Sequence, residues 1–280
     1  MRTLVTGGSG YLGIHVRRFF GAADFSRRRN LNILDPVDVE RVADYDVVIH
    51  LAAHLDKNPD AAEFCFRTNA EGTANVISHM RPDSVFIYAS TKDVYGSHAG
   101  LYTETPETCP VSYAGQTALE WSKLLGERYV DYYAQQRSVR ACIFRLSTVY
   151  ARPSEGNEPG FVTHYVESVK HGWPINVPVG GHAIRDILHV DDFSTACKAF
   201  IQSPRRTGLY NLGGGKANSA SLREMIETVG RLIQLEPIIR ESDTLPHPVP
   251  VNYVSDLSKV RSELEWEPAI GIEEGLKSLL

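Results

Sequence analysis

Long hydrophobic runs are missing from this sequence of 280 residues. No apolar stretch approaches the roughly 20 residues that span a bilayer, and glycines interrupt the first ten residues, where a signal peptide needs an unbroken apolar core. Cysteine pairs are also missing, because none of the four cysteines forms a Cys-x-x-Cys motif. We therefore expect a cytoplasmic protein with free thiols and without a membrane segment.

An excess of positive charge is absent too. The chain has 29 Lys and Arg against 34 Asp and Glu, a net charge of -5, so nucleic acid is not an expected partner. The ten histidines form no His-Glu-x-x-His motif or comparable cluster, so no metal site is predicted. A Gly-x-Ser-x-Gly nucleophile elbow is missing, which argues against a hydrolase of that type.

Short, β-branched apolar runs alternate instead with helix-like stretches. The pattern predicts strands over 3–6, 47–51, 85–89, 141–145 and 209–212, and helices over 10–20, 59–80 and 117–136. This alternation is typical of an α/β protein with a Rossmann-type, doubly wound parallel sheet. After residue 150 prolines break the pattern. We expect a dinucleotide-binding domain over 1–150 and mainly a smaller substrate-binding lobe over 151–280, with the chain returning to the first domain near 186–212.

The strongest motif is the glycine loop that follows the first strand, Gly8-x-Gly10-x-x-Gly13. Its position between a strand and a helix makes it a dinucleotide-binding fingerprint. Glycines allow the backbone to approach a pyrophosphate, and the helix N-terminus offers unpaired N–H donors to the phosphates. We therefore expect a pyrophosphate at the helix that starts near Tyr11.

The whole chain resembles the extended branch of the short-chain dehydrogenase/reductase superfamily. This branch comprises nucleotide-sugar epimerases, dehydratases and reductases. The resemblance implies a nicotinamide cofactor, hydride transfer at a keto or hydroxyl carbon, and a sugar substrate that is nucleotide-linked. It rests on the glycine spacing 7, 10, 13 and on segments 46–53, 69–73, 90–96, 145–150, 185–192, 210–215 and 264–268.

The resemblance implies a set of cofactor-binding residues. Whether the cofactor is NAD or NADP stays open here, because Asp24 could hold a ribose hydroxyl, whereas Ser26, Arg27 and Arg28 could hold a 2′-phosphate. Three consecutive arginines favour NADP slightly. The residues expected at the cofactor are Gly7, Gly10, Tyr11, Leu12, Gly13, Ser26, Arg27, Arg28, Asn32, Ile33, Leu51, Ala52, Ala53, Asn69, Lys123, Leu146 and Ser147.

The catalytic Tyr-x-x-x-Lys motif of the family is split in this sequence. Tyr113 has Thr117 where lysine belongs, and Lys123 has Leu119 where tyrosine belongs. We expect Tyr113 to donate the proton and Lys123 to lower the pKa of that tyrosine, which requires a helix break between residues 114 and 118. We also expect Thr91 to bond the reacting oxygen, with Asp93 as the alternative proton carrier.

Substrate contacts are implied in the second half, and two other functions stay open. One alternative is a 4,6-dehydratase that uses Asp93; the other is a cofactor-binding protein with little or no turnover. The family also implies a homodimer formed by the long helices over 59–80 and 117–136. The expected substrate-binding residues are Thr148, Phe161, Val162, Asn176, Val177, Arg185 and His247.

Overall fold

A six-stranded parallel sheet forms the centre of the protein. The computed structural model describes residues 1–242 and 250–280. The strand order is β2-β1-β3-β4-β5-β9, and every neighbouring pair is parallel. The predicted fold class is therefore confirmed. The strands are β1 (Thr3–Thr6), β2 (Ala23–Phe25), β3 (Val47–His50), β4 (Val85–Thr91), β5 (Arg140–Leu146), β6 (Thr148–Tyr150), β7 (Ile175–Pro178), β8 (Ile184–His189), β9 (Thr207–Leu212), β10 (Ser219–Ser221) and β11 (Ile239–Ser242).

Helices cover both faces of this sheet because its strands alternate buried apolar residues between two cores. On β3, Ile49 belongs to one core and Val48 to the other, and β4 divides Ile87 and Phe86 in the same way. The helices are α1 (Gly13–Phe20), α2 (Pro36–Glu40), α3 (Ala62–Cys65), α4 (Gly72–Ser78), α5 (Ala118–Gln136), α6 (Phe161–His171), α7 (Val190–Gln202), α8 (Leu222–Ile233), α9 (Ser258–Leu264) and α10 (Ile272–Leu279).

Two predicted helices differ from the observed ones. The first begins at Gly13, not at residue 10, because residues 7–12 form a loop in which Gly10 N donates to Gly7 O at 2.9 Å. The helix predicted over 59–80 is divided into a 3₁₀ turn, α3, a π-helical stretch over Phe66–Glu71, and α4. Helix α5 begins within one residue of its prediction.

The second half builds a smaller lobe and also returns to the main sheet. Strands β10, β8 and β6 form one small sheet and β11 with β7 another, around a third apolar core. Strand β9 pairs with β5 in the main sheet, with Leu212 beside Leu146. The sheet order reverses between β1 and β3, and such a switch point opens a crevice at the carboxyl ends of the strands.

Candidate functional site: a dinucleotide cleft

The glycine loop packs closely against neighbouring backbone, which leaves no room for a side chain at two of its glycines. Gly7 has φ +69°, and a Cβ there would lie 2.8 Å from the backbone nitrogen of Ala52. A Cβ on Gly13 would lie 2.2 Å from the carbonyl oxygen of Gly7. The N–H groups of Tyr11 and Leu12, just before α1, donate no hydrogen bond within the described residues. These free donors at a helix N-terminus fit a pyrophosphate.

A cleft of about 800 Å³ runs from this loop along the carboxyl ends of the central strands. Its size is that of a cofactor site. Most residues expected at a cofactor or substrate line it: Gly7, Gly10, Tyr11, Leu12, Gly13, Ser26, Arg27, Arg28, Asn32, Ile33, Leu51, Ala52, Ala53, Thr91, Lys123, Leu146, Ser147, Thr148, Phe161 and Val162.

At the end of β2, the residue that would select NAD and those that would select NADP lie in different places. The side chain of Asp24 is 4% exposed and does not line the cleft, because its Oδ2 accepts from Ser9 Oγ at 2.5 Å and pairs with Arg17 at 3.1 Å. Ser26 and Arg27 do line the cleft. The Arg27 guanidinium forms no hydrogen bond or ion pair within residues 1–242 and 250–280. It is therefore free for an anion.

Arg28 instead ties the glycine loop to the second lobe. Its guanidinium donates to Ser9 O at 3.1 Å and to Gly156 O and Asn157 Oδ1. Asn157 also donates to Ser9 O at 3.1 Å. The hydroxyl of Tyr11 lies 2.8 Å from Ala151 O. Sequence reasoning missed Asn157, for which no motif gave a signal.

The corner between β4 and α5, here called the β4–α5 corner, contains Thr91, Asp93, Glu120 and Lys123. Thr91 ends β4, and its hydroxyl accepts from Asp93 N at 3.2 Å. Lys123 Nζ donates to Ala89 O at 2.8 Å, and burial lowers the pKa of this lysine to about 8. The residue one turn before it, Leu119, is buried and carries no hydroxyl. The corner thus has the cation, and the tyrosine next to it, Tyr88, has its ring centroid 5.1 Å from Lys123 Nζ but is fully buried and does not line the cleft.

The structure does not bring Tyr113 into the cleft, contrary to our expectation. The predicted helix break is present, since α5 begins after the N-cap Thr117 and Gly115 has φ +92°. Gln116 fixes the preceding loop by accepting from Ala114 N and donating to Val94 O. Tyr113 nevertheless points outward: its side chain is 72% exposed and does not line the cleft. Its position therefore does not support the proton-donor role.

Lys57 and Lys92 form ion pairs with the two carboxylates of the β4–α5 corner. Lys57 Nζ lies 3.0 Å from Asp93 Oδ2 and 2.9 Å from Glu120 Oε1, and Lys92 pairs with the other Asp93 oxygen. Burial would raise the pKa of Asp93, but Lys92 and Lys57 outweigh it and lower this pKa to about 2. Asp93 is therefore an ion-paired carboxylate at neutral pH. Sequence reasoning missed Lys57, which lies in no motif, and Glu120, for which the capping box Thr117-x-x-Glu120 was an available signal.

A buried ion pair supports the strand end. The Arg145 guanidinium binds Glu127 through two hydrogen bonds, at 3.0 and 2.7 Å, and Ser90 Oγ donates to the same carboxylate at 2.6 Å. Arg145 also donates to the hydroxyl of Tyr95 at 3.0 Å. Such a network has little freedom because every member is buried and bonded. It fixes the residue before Thr91.

Several expected contacts lie elsewhere. Asn69 is fully buried, and its amide bonds His54 and Ser122 instead of facing the cleft. Arg185 is buried and donates to Ile184 O and Val251 O. Val177 belongs to the core of the small lobe because it faces inward on β7, whereas Asn176 faces solvent; neither lines the cleft. His247 lies outside the described residues.

No group of three or more His, Cys, Asp or Glu in residues 1–242 and 250–280 could hold a metal ion. In that same part of the chain, no helix combines the length and the apolar character needed to cross a membrane. All four cysteines are buried and free.

The fold and the glycine loop define a Rossmann-type protein whose cleft fits a dinucleotide. The chain belongs to the NAD dependent epimerase/dehydratase family, whose sequence profile matches residues 3–213. It is 26% identical to CDP-paratose 2-epimerase of Salmonella typhi, covering 100% of this chain and 98% of that protein.

Two solved structures have the same fold as this chain. The UDP-glucuronic acid 4-epimerase of Bacillus cereus, in complex with UDP-glucuronic acid and NAD, has a TM-score of 0.83 and 21% identity, covering 99% of this chain and 97% of that one. RMD of Pseudomonas aeruginosa, complexed with NADPH, has a TM-score of 0.83 and 20% identity, covering 100% and 98%.

Proposed function

We propose that this protein is an NAD(P)-dependent oxidoreductase or epimerase that acts on a nucleotide-linked sugar. One observation carries the proposal: a single cleft joins the glycine loop at Gly10 to Thr91 and Lys123 and continues to Thr148 and Phe161 on the second lobe. A cofactor along the strand ends leaves the far part of this cleft for a sugar. Two of the proteins named above act on a nucleotide sugar or bind one, as their names state: CDP-paratose 2-epimerase and the UDP-glucuronic acid 4-epimerase.

The second lobe provides the sugar side of the cleft. Thr148, Phe161 and Val162 line it, and we propose these three as substrate contacts. Arg185, which we expected among the substrate contacts, is bonded to the protein backbone in this structure. A role for Arg185 or His247 in substrate binding stays a prediction.

We further propose that the cofactor is NADP. The free Arg27 and the hydroxyl of Ser26 lie at the end of β2, where the adenosine ribose of a bound dinucleotide is placed in this fold. The carboxylate that would select NAD, Asp24, is already bonded by Ser9 and Arg17. A guanidinium matches the geometry of a phosphate better than that of a hydroxyl.

A second candidate, a cofactor-binding protein without turnover, has its own support. Leu119 provides no hydroxyl, and Tyr113 is exposed. The dehydratase alternative is weaker because Asp93 is held as an ion-paired carboxylate between Lys57 and Lys92 and has no proton to donate.

One experiment separates these functions. Calorimetry measures the binding of NAD and NADP. Absorbance of the nicotinamide then follows net reduction or oxidation of UDP-, dTDP-, CDP- and GDP-linked sugars in keto and hydroxyl forms. NMR of the sugars detects epimerisation, in which the hydride returns to the sugar and the absorbance does not change. Turnover with any of them supports the enzyme, and tight cofactor binding without turnover supports the second candidate. Failure to bind either dinucleotide contradicts both.

We also propose a homodimer built on α5. Leu125, Tyr129 and Tyr132 are 43%, 39% and 57% exposed, and their spacing of four and three residues places them on one stripe of the helix. Such a stripe on an otherwise polar surface is typical of an interface. A cytoplasmic location stays a prediction, and the buried free thiols are compatible with it.

A further inference from the structure

The segment that links β6 to α6 is bonded to the glycine loop at both of its ends. Residues 151–157, here called the strap, begin directly after β6. The hydroxyl of Tyr11 donates to Ala151 O and accepts from Ala151 N, both at 2.8 Å. Thr163 on α6 donates to the same carbonyl at 2.9 Å. Ala151 and Thr163 are fully buried, so this end of the strap is a fixed anchor.

The other end of the strap is held by a second group of hydrogen bonds, here called the latch, between Ser9, Arg28, Gly156 and Asn157. The Arg28 guanidinium donates to Ser9 O at 3.1 Å. On the strap it donates to Gly156 O and, at 3.2 Å, to Asn157 Oδ1. The Asn157 amide donates to Ser9 O at 3.1 Å. Arg28 and Asn157 therefore share one carbonyl of the glycine loop and also hold each other.

The strap spans the part of the cleft that we assign to the pyrophosphate and the adenosine ribose. The anchor lies at Tyr11, where α1 approaches, and the latch lies at Ser9 and Arg28, next to the end of β2. Between them are the free N–H groups of Tyr11 and Leu12. Ser9, Tyr11, Arg28 and Asn157 all line the cleft. A dinucleotide bound there would lie between the anchor and the latch.

The latch is the weaker of the two attachments. Arg28 and Gly156 are exposed and Asn157 is half-buried, whereas the anchor is buried. Hydrogen bonds that water can replace contribute less to stability than buried ones, and segments held by them open first. Gly156 has φ +73°, a conformation that glycine adopts readily, so the turn at the latch costs little to reshape. The strap therefore opens at the latch and pivots at the anchor.

We propose that the strap closes over a bound dinucleotide and controls how fast the cofactor enters and leaves, an inference that rests on the proposed function. The latch opens to admit the dinucleotide, closes across its adenosine end, and opens again for release. Arg28 is then a positioning residue that acts through Asn157 and Gly156. It does not need to contact a phosphate for this role.

The strap affects the two reactions within the proposed function differently. Net reduction of a sugar consumes the reduced dinucleotide, so the latch must open once in every turnover. Epimerisation returns the hydride to the sugar and regenerates the cofactor in place, so the latch can stay closed. Opening of such a segment limits the turnover rate of many enzymes that exchange a bound product.

Two substitutions in the full-length protein test the latch. Arg28→Met removes the guanidinium, and Asn157→Ala removes its partner on the strap. Stopped-flow fluorescence gives the association and dissociation rate constants of NADH and NADPH. We expect both constants to increase about tenfold in each variant and for both dinucleotides, the scale of one or two lost hydrogen bonds. Because Kd is the ratio of the two constants, it should stay within about threefold of the wild-type value.

Two further variants isolate the cause. Arg28→Lys keeps the positive charge but lacks the rigid fork that reaches three acceptors, so we expect faster exchange of both cofactors here too. Arg152→Met is the matched control, because Arg152 lies in the same strap but its guanidinium donates to Ser278 O. Its rate constants should equal those of the wild type.

Amide hydrogen exchange, followed by mass spectrometry, reports on the strap without any cofactor. Peptides over residues 152–158 should exchange about tenfold faster in Arg28→Met than in the wild type, because the latch opens more often. Peptides from α5 should exchange at an unchanged rate. Circular dichroism checks that each variant is folded. If Arg28→Met fails to fold, Asn157→Ala decides by the same measurements.

The possible failures are distinguishable. If the wild type binds the cofactor and both latch variants retain its rate constants, the strap inference alone is overturned. If Arg28→Met loses affinity for NADPH only, with an unchanged association rate, Arg28 is a direct phosphate ligand and the inference is also overturned. A wild type that binds neither dinucleotide overturns the proposed function together with the inference.

Discussion

The carboxylate of Asp24 accepts a hydrogen bond from the hydroxyl of Ser9 at 2.5 Å. This bond joins the end of the second strand to the glycine loop and, together with Arg17, occupies the acidic group that could have selected NAD. Among the residues that the structure describes, Arg27 is therefore the unpaired cation that lines the cleft at the end of β2.

Arg27→Ala should therefore weaken NADP binding and spare NAD. A charge-assisted bond to phosphate contributes about 1.5–3 kcal/mol, so we expect a loss of NADP affinity of roughly tenfold to a hundredfold. Calorimetry with both cofactors measures it. Arg29→Ala is the matched control, since Arg29 pairs with Asp24 and does not line the cleft. A wild type that prefers NAD would contradict the prediction.

Gly10→Val should abolish cofactor binding and leave the fold largely intact. A Cβ on Gly10 would lie 3.1 Å from Gly7 O, and the branched side chain would fill the space where the backbone must approach a pyrophosphate. Cofactor titration and thermal unfolding measure the two effects. Gly271→Val, where a Cβ meets nothing within 4 Å, should keep full affinity. If Gly10→Val binds the cofactor with unchanged affinity, the loop has only a structural role.

Tyr113→Phe should leave the turnover rate within about twofold of wild type, because this side chain is 72% exposed and outside the cleft. The steady-state rate with the accepted sugar is the measurement. A decrease of about 100-fold, the scale of a lost general acid, would instead show that the 112–116 loop folds inward during catalysis.

His50 should make the protein sensitive to acid. Burial, with a contribution from Lys123, lowers the pKa of His50 from 6.5 to about 3. The unfolded chain then binds a proton that the folded chain rejects. The stability contributed by neutral His50 is complete above pH 6.5 and is lost as pH falls from 6.5 toward 3. Between pH 7 and pH 5 this loss is about 2 kcal/mol.

Urea unfolding at these two pH values measures this loss. His50→Gln should flatten the pH dependence, because no group at position 50 then takes up a proton on unfolding. His171→Gln changes a half-exposed ring and should retain the wild-type slope. Equal slopes for wild type and His50→Gln would assign the acid sensitivity to other groups.

Leu125→Glu should dissociate the proposed dimer, because it places a charge at the N-terminal end of the apolar stripe on α5. Light scattering at micromolar concentration should then change from dimer to monomer. Gln202→Glu, an exposed position at the end of α7, is the control. A wild type that is already monomeric would refute the interface.

Local sequence determined the cofactor half of this protein. The glycine spacing, the apolar strands and the N-terminal helix are encoded within about twenty neighbouring residues, and glycine's lack of a side chain is itself the functional property. The predicted strands and the start of α5 agree closely with the structure for the same reason. Sixteen of the seventeen expected cofactor residues line the cleft; Asn69 does not, because its amide is used by His54 and Ser122.

Tertiary structure alone decided the β4–α5 corner. Lys57, Asp93 and Glu120 are 27 to 63 residues apart in the sequence, and no spacing rule predicts that their charges meet. The exposure of Tyr113 depends on how Gln116 and Gly115 turn one short loop. A motif records residues that are neighbours along one strand or helix, whereas a buried ion pair depends on which segments the folded sheet brings to the same edge.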